Sequence, residues 1–227
     1  MSPQNLNHNA LSNHIAEHIT EQILTGELQP GDKIVENTYA TEYGTSRAPV
    51  REAIYLLTIE GLVERIPRRG AVVKEHTENE IYDLLEIRIM LESLAMKRIK
   101  ENGIDEEVLK KMGTLYQEMS GEKDIKRYTQ LNHTFHLCFI EMSKSETIKK
   151  MYNRLELPLL RVQNISFATE GNIVKSVREH FALVNLLKEG KIEKATTVLQ
   201  QHNQDVITSI QKRLFEQQSQ DPQYDVY

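Results

Sequence analysis

The sequence predicts a mainly α-helical chain in two parts: an N-terminal winged helix-turn-helix with a small β-hairpin wing, then an all-α bundle. Two short helical stretches meet at Gly44, with Ser46 placed to cap the second. Two brief apolar runs, Leu62-Val63 and Ala71-Val72-Val73, flank the basic tip Pro67-Arg68-Arg69-Gly70 and read as a hairpin. From Thr77 to about Phe215 only helical periodicity occurs, broken at Gly103, Gly121, Ser143 to Ser145, Gly171 and Gly190.

Ile15, Ile19 and Ile23 recur every four residues before Gly26, an amphipathic helix with a glycine stop. Pro30-Gly31 is a turn, and Glu36 to Tyr43 a short helix closed by Gly44. The next helix runs from Arg47 to about Glu60; Pro49 is compatible with it only in the first turn, where a missing N–H costs little. Thr77 and Glu80 form a capping box opening a long helix that stops at Asn102-Gly103. The breaks that follow imply roughly six helices in the bundle. The expected domains are 8–75 and 77–217, with a frayed polar tail over 218–227.

Composition narrows the function. At 227 residues and 39% hydrophobic content the chain can form ordinary cores. It has no run of eighteen apolar residues and a polar start, Met1 to Ala10, so a cytoplasmic, non-membrane protein is expected. Cys138, the lone cysteine, reads as a buried hydrophobe. A net charge of −5 argues against indiscriminate coating of nucleic acid, so any DNA contact must be local. Between Gly44 and Glu75, Arg47, Arg51, Arg65, Arg68, Arg69 and Lys74 outnumber Glu52, Glu60, Glu64 and Glu75.

Arg47 and Arg51, one turn apart at a helix start, aim two guanidinium groups from one face, where arginine pairs bidentately with guanine. Thr45 and Ser46 suit phosphate, and Arg69, with Gly70 permitting close approach, suits backbone or minor groove. The segments Pro30 to Ile34, Ser46 to Ala53, Glu60 to Val63 and Arg68 to Ala71 resemble the DNA-binding domain of the GntR family of transcription regulators. That resemblance covers about residues 10 to 75 and implies DNA contacts for Ser46, Arg47, Pro49, Arg51, Arg69 and Gly70. Asn37 and Thr38 stand where relatives often carry further charge.

In the second part, three apolar stripes each carry one histidine: Leu131, Phe135, Cys138, Phe139 and Met142 with His136; Ile173, Val177, Val184 and Leu187 with His180; Ala195, Val198, Leu199 and Val206 with His202. Asn132 lies one turn before His136, whereas His133 projects about 100° away and is expected on the surface. A single inward histidine is ordinarily a hydrogen-bonded core residue. Three converging with a carboxamide point to a divalent metal, zinc or nickel. Arg88, and Arg161 beside it as a candidate, can fork onto the carboxylate of a small effector, or pair with Glu92 or another helix.

Arg88 with Glu92, Phe135-His136 and the two later histidines make residues 78 to 215 similar to the FCD effector domain of the FadR-type branch. The resemblance implies a site of one aspartate and three histidines, with Asn132 here in the aspartate's place. It further implies a homodimer on operator DNA, usually a repressor. Two rival functions are a metal-dependent hydrolase, which lacks any motif such as His-Glu-x-x-His, and a metal-free helical dimerisation module.

Overall fold

A computed structural model describes the backbone of residues 3–218 and the side chains of residues 10–213. The chain divides into two compact units between His76 and Thr77.

The first unit contains α1 (Pro3–Thr25), β1 (Lys33–Ile34), α2 (Glu36–Glu42), α3 (Arg47–Ile59), β2 (Val63–Ile66) and β3 (Gly70–Val73). Ile15, Ile19 and Ile23 on α1 are buried with Val50, Ala53, Ile54 and Leu57 of α3, which packs against it. Each such aliphatic side chain removed from water contributes about 1.5–3 kcal/mol, so this seam is the unit's main cohesion. The hairpin of β2 and β3 acquires a third strand that periodicity does not reveal. Lys33 and Ile34 pair antiparallel with Val72 and Ala71, giving the order β1-β3-β2. Two residues are too few for an alternation signal, and the strand is fixed from outside, by Gly31 N–H on Val73 O and Val73 N–H on Asp32 O, both 2.9 Å.

The second unit is helical throughout its described residues: α4 (Glu78–Asn102), α5 (Glu106–Gly121), α6 (Ile125–Met142), α7 (Glu146–Asn153), α8 (Glu156–Phe167), α9 (Asn172–Lys188) and α10 (Ile192–Gln218). The Thr77–Glu80 capping box is formed in both directions. Seven helices stand where six were expected, because the chain also breaks at Arg154 and Leu155; Pro158 is tolerated in the first turn of α8. The expected tail lies outside the described residues, except that α10 includes Gln218.

α6 is the axis of the bundle. It packs against α4, α5, α7 and α8, and Tyr128, Leu131, Phe135, Cys138, Phe139 and Met142 join the main core. Burial extends round most of its circumference, which overturns the expectation that His133 is a surface residue. A residue 100° off the stripe still faces another helix, and His133 stacks on Tyr152 of α7, centroids 5.5 Å apart. Cys138 is buried, and burial pushes its thiol up to about 12, leaving a hydrophobe without nucleophilic character.

Candidate functional site

In the first unit, Gly44 takes a left-handed turn (φ +58°) between α2 and α3, and Ser46 is the N-cap of α3 without a side-chain capping bond. Its hydroxyl and the first N–H groups of α3 therefore remain available to an anion. Arg47 and Arg51 are both exposed one turn apart; Arg51 Nε sits 2.8 Å from Glu36 Oε2 on α2. Thr45 is half-buried, its N–H bonded to Ala40 O. Pro49 is buried in the first turn of α3.

The wing tip closes with Arg69 N–H on Ile66 O at 3.1 Å, and Arg69 and Gly70 are exposed there. Arg68, which sequence reasoning did not single out, holds the left-handed conformation (φ +66°) that glycine ordinarily takes. Lys33, Arg65, Arg68 and Arg69 line a cleft of about 560 Å³ beside the tip.

In the second unit the three histidines meet. His136, His180 and His202 are buried, with ligand nitrogens all within 4.8 Å of one another. His136 Nε2 is 3.2 Å from His202 Nε2 and 3.3 Å from His180 Nε2. Behind them, His136 Nδ1 faces Glu92 Oε2 at 3.2 Å and His202 Nδ1 faces Glu179 Oε2 at 2.7 Å. Carboxylates accept at Nδ1–H, which turns the Nε2 lone pairs toward the common centre. Lone pairs at that separation repel unless a proton or a metal cation lies between them. Asn132 donates through Nδ2 to Gln163 Oε1 at 3.1 Å, and its buried Oδ1 has no hydrogen-bond partner. Three imidazole nitrogens and an orphaned carbonyl oxygen one turn from His136 are a donor set suited to a divalent metal ion.

Glu92 is the hub that sequence reasoning saw only as a partner for Arg88. Fully buried, it accepts from Arg88 Nε (2.8 Å), Tyr152 Oη (3.0 Å), Asn203 Nδ2 (2.6 Å) and His136 Nδ1, joining α4, α6, α7 and α10. Burial alone raises a carboxyl group's pKa, but Arg88 and His136 outweigh it and hold Glu92 well below the usual carboxylate range. Burial, then the Arg88 charge, lowers His136 to about 3 and His133 to about 4; burial also drives His180 well down. Neutral imidazoles are the form that binds metal.

The Arg88 guanidinium has one unsatisfied nitrogen: its buried terminal Nη2 has no hydrogen-bond partner, although Nε is paired with Glu92. Arg161 is half-buried on α8. A cavity of about 30 Å³ borders His202 and Glu179 between α8, α9 and α10. That volume holds about two waters. Among the supporting residues Glu92 was foreseen only as a partner for Arg88, and Glu179, Tyr152, Gln163 and Asn203 were not foreseen. Of those four, Glu179 alone carried a signal, as the residue before His180.

This pairing of a winged unit with a histidine-centred bundle defines a class of DNA-binding transcription regulator, and comparison with known proteins agrees. The FCD domain matches residues 83–205 and the bacterial regulatory proteins, gntR family, match residues 11–73. The chain belongs to the GntR family, with an FCD domain, and is a transcription regulator, not an enzyme. It is 28% identical to the gluconate operon transcriptional repressor of Bacillus subtilis over 194 residues, 83% of this chain and 71% of that protein. It is also 28% identical to the regulator LutR of the same organism, over 79% of this chain and 92% of that one. A solved structure of a GntR regulator from Rhodococcus sp. RHA1 shares the fold at a TM-score of 0.76 and 20% identity, covering 88% of this chain and 97% of that one. No helix among the described residues is long and apolar enough to cross a membrane.

Proposed function

We propose that this regulator is a cytoplasmic, homodimeric repressor whose bundle binds a divalent metal, zinc or nickel, and through it a small carboxylate effector. The observation carrying the reading is the convergence of three buried histidine Nε2 atoms on one point, with His136 and His180 held neutral by burial. His136, His180 and His202 would hold the ion, with Asn132 Oδ1 as a neutral fourth donor. When bound, the ion supplies a Lewis-acidic anchor for an anion. Arg88, with an unpaired buried nitrogen, offers the second anchor, and Arg161 a further one.

The cavity beside His202 is too small for an organic acid. An effector that enters beside His202 parts α8, α9 and α10, and this gives it a preference between two arrangements, without which no equilibrium shifts. In the first unit, Arg47 and Arg51 would read bases, while Thr45, Ser46, Arg69 and Gly70 grip backbone. Repression is favoured over activation by the relatives named as repressors.

Elemental analysis of protein purified without added metal tests the centre, with His136→Ala, His180→Ala and His202→Ala in parallel. Near-stoichiometric metal in the wild type, lost in all three variants, is expected. Full-length protein that takes up neither zinc nor nickel overturns the metal centre and leaves the histidines as core residues.

A further inference from the structure

Arg47 and Arg51 share an exposed face of α3, yet among the described residues only Arg51 is held by an ion pair. It donates through Nε to Glu36 Oε2 at 2.8 Å, from the second turn of α3 to the first residue of α2. The Arg51 side chain keeps 57% of its surface open to water and the Glu36 side chain 29%. A pair this open adds little to stability, so its effect lies in where it holds the guanidinium. Nε and the two terminal nitrogens lie in one plane, and bonding Nε fixes that plane. Nη1 and Nη2, the fork that pairs with guanine O6 and N7, have no partner among the described residues. Glu36 is also unlike its surroundings in charge. It lines the cleft beside the wing tip with Lys33, Arg65, Arg68 and Arg69, the one acid among the described residues that line it. α2 carries no lysine or arginine to offset it. A carboxylate there repels the phosphates that those cations attract, which costs affinity for any DNA.

We infer that Glu36 is a positioning residue for sequence recognition: it holds the Arg51 fork toward base edges and denies it to phosphate. An untethered arginine on a helix facing DNA reaches the backbone of any sequence, and that contact favours wrong sites as much as right ones. With Nε held, swinging to a phosphate breaks the pair and leaves Glu36 beside the same anion, whereas bidentate pairing with guanine through Nη1 and Nη2 keeps it. The carboxylate thus weakens binding to all DNA, and most where no guanine meets the fork. A repulsive group raises specificity in this way, because specificity is a difference between affinities. α2 fixes the carboxylate in turn, since Glu36 lies in the first turn, at the positive end of the helix. The inference rests on the base-reading role proposed above for Arg51.

Selection of a randomised duplex pool by the full-length protein, followed by sequencing, reads base preference position by position. Titration of poly(dI-dC) over a range of salt reads sequence-independent affinity. Arg51→Ala is expected to erase a guanine preference at one position, and Arg47→Ala at a different one. Glu36→Gln is expected to weaken the preference that Arg51→Ala erases by about tenfold and to leave the other in place. The same variant is expected to bind poly(dI-dC) more tightly, with a salt dependence steeper by about one unit of slope, as Arg51 turns to phosphate. Glu36→Gln keeps the side chain's volume and an acceptor oxygen, so its melting temperature is expected to match the wild type. A variant that melts lower and binds every DNA more weakly, with base preferences intact, gives Glu36 a structural role and overturns the inference. A guanine position erased by Arg51→Ala but kept in full by Glu36→Gln also overturns it, and leaves Arg51 reading bases. Wild-type preferences at every position in Arg51→Ala overturn the reading of Arg51 and the inference with it.

Discussion

His136 and His202 meet Nε2 to Nε2 at 3.2 Å, and each is held from behind by a carboxylate, Glu92 on one ring and Glu179 on the other. The pair is arranged for a cation, and Asn132, proposed above as the fourth donor, brings no charge. Asn132→Asp should therefore raise zinc affinity about tenfold or more, on the scale by which metal-site neighbours act. The same variant without metal should melt lower than wild type, since it buries a carboxylate beside Glu92's cluster. Chelator competition and melting curves with and without zinc read the two signs. A variant whose affinity is unchanged removes Asn132 from the coordination sphere.

Glu92 accepts from four side chains on four helices, so its loss falls on the whole bundle. Glu92→Ala leaves the fully buried Arg88 without its counter-charge, a cost of about 3–5 kcal/mol. The melting temperature should fall by about 10 °C. Replacing Arg88 and Glu92 together by methionine should recover only part of that loss, because the pair's desolvation is avoided but Tyr152, Asn203 and His136 are left without their acceptor. Circular dichroism melts of the three proteins check it.

How far the site was legible follows from the kind of signal each residue leaves. The three histidines each sit within an apolar stripe, so periodicity alone turned them inward. His133 escaped because the stripe argument assumes one buried face, and α6 is enclosed by four helices. Glu92 was seen only as the i+4 neighbour of Arg88; its bonds to Tyr152 and Asn203 span 60 and 111 residues and leave no local pattern. β1 is held by a partner strand and not by its own two residues. The break between α7 and α8 had one cue, Pro158, which lies past it inside the next helix.

Acid should weaken the fold through the buried imidazoles. His133 and His136 ordinarily titrate near 6.5 but are held at about 4 and about 3 in the fold. Between those values the unfolded chain binds more protons, so stability rises with pH. Their contribution is complete above about pH 6.5 and is lost as pH falls toward 4. At pH 5 each histidine should cost roughly 2 kcal/mol relative to neutrality. Denaturant midpoints of metal-free protein at pH 7.5 and pH 5 measure the slope; His133→Phe, which keeps the stack on Tyr152, should flatten it by about a third, His136 and the likewise depressed His180 carrying the rest. An unchanged slope would show that His133 is already protonated in the folded state.

Arg68 at the wing tip sets fold and function against each other. A non-glycine residue at φ +66° carries about 1–2 kcal/mol of backbone strain. Glycine removes that strain but loses more freedom on folding, so Arg68→Gly should leave the first unit unchanged or more stable by up to about 1 kcal/mol. The guanidinium it removes is exposed beside Arg65, Arg69 and Lys33 on the cleft at the tip. If those cations meet phosphate, the variant should bind DNA more weakly, with a salt dependence reduced by about one unit of slope. Melting and DNA titration over a range of salt should thus move in opposite directions. A parallel loss in both would mean that Arg68 serves the hairpin, and an unaltered titration would take the wing tip off the DNA.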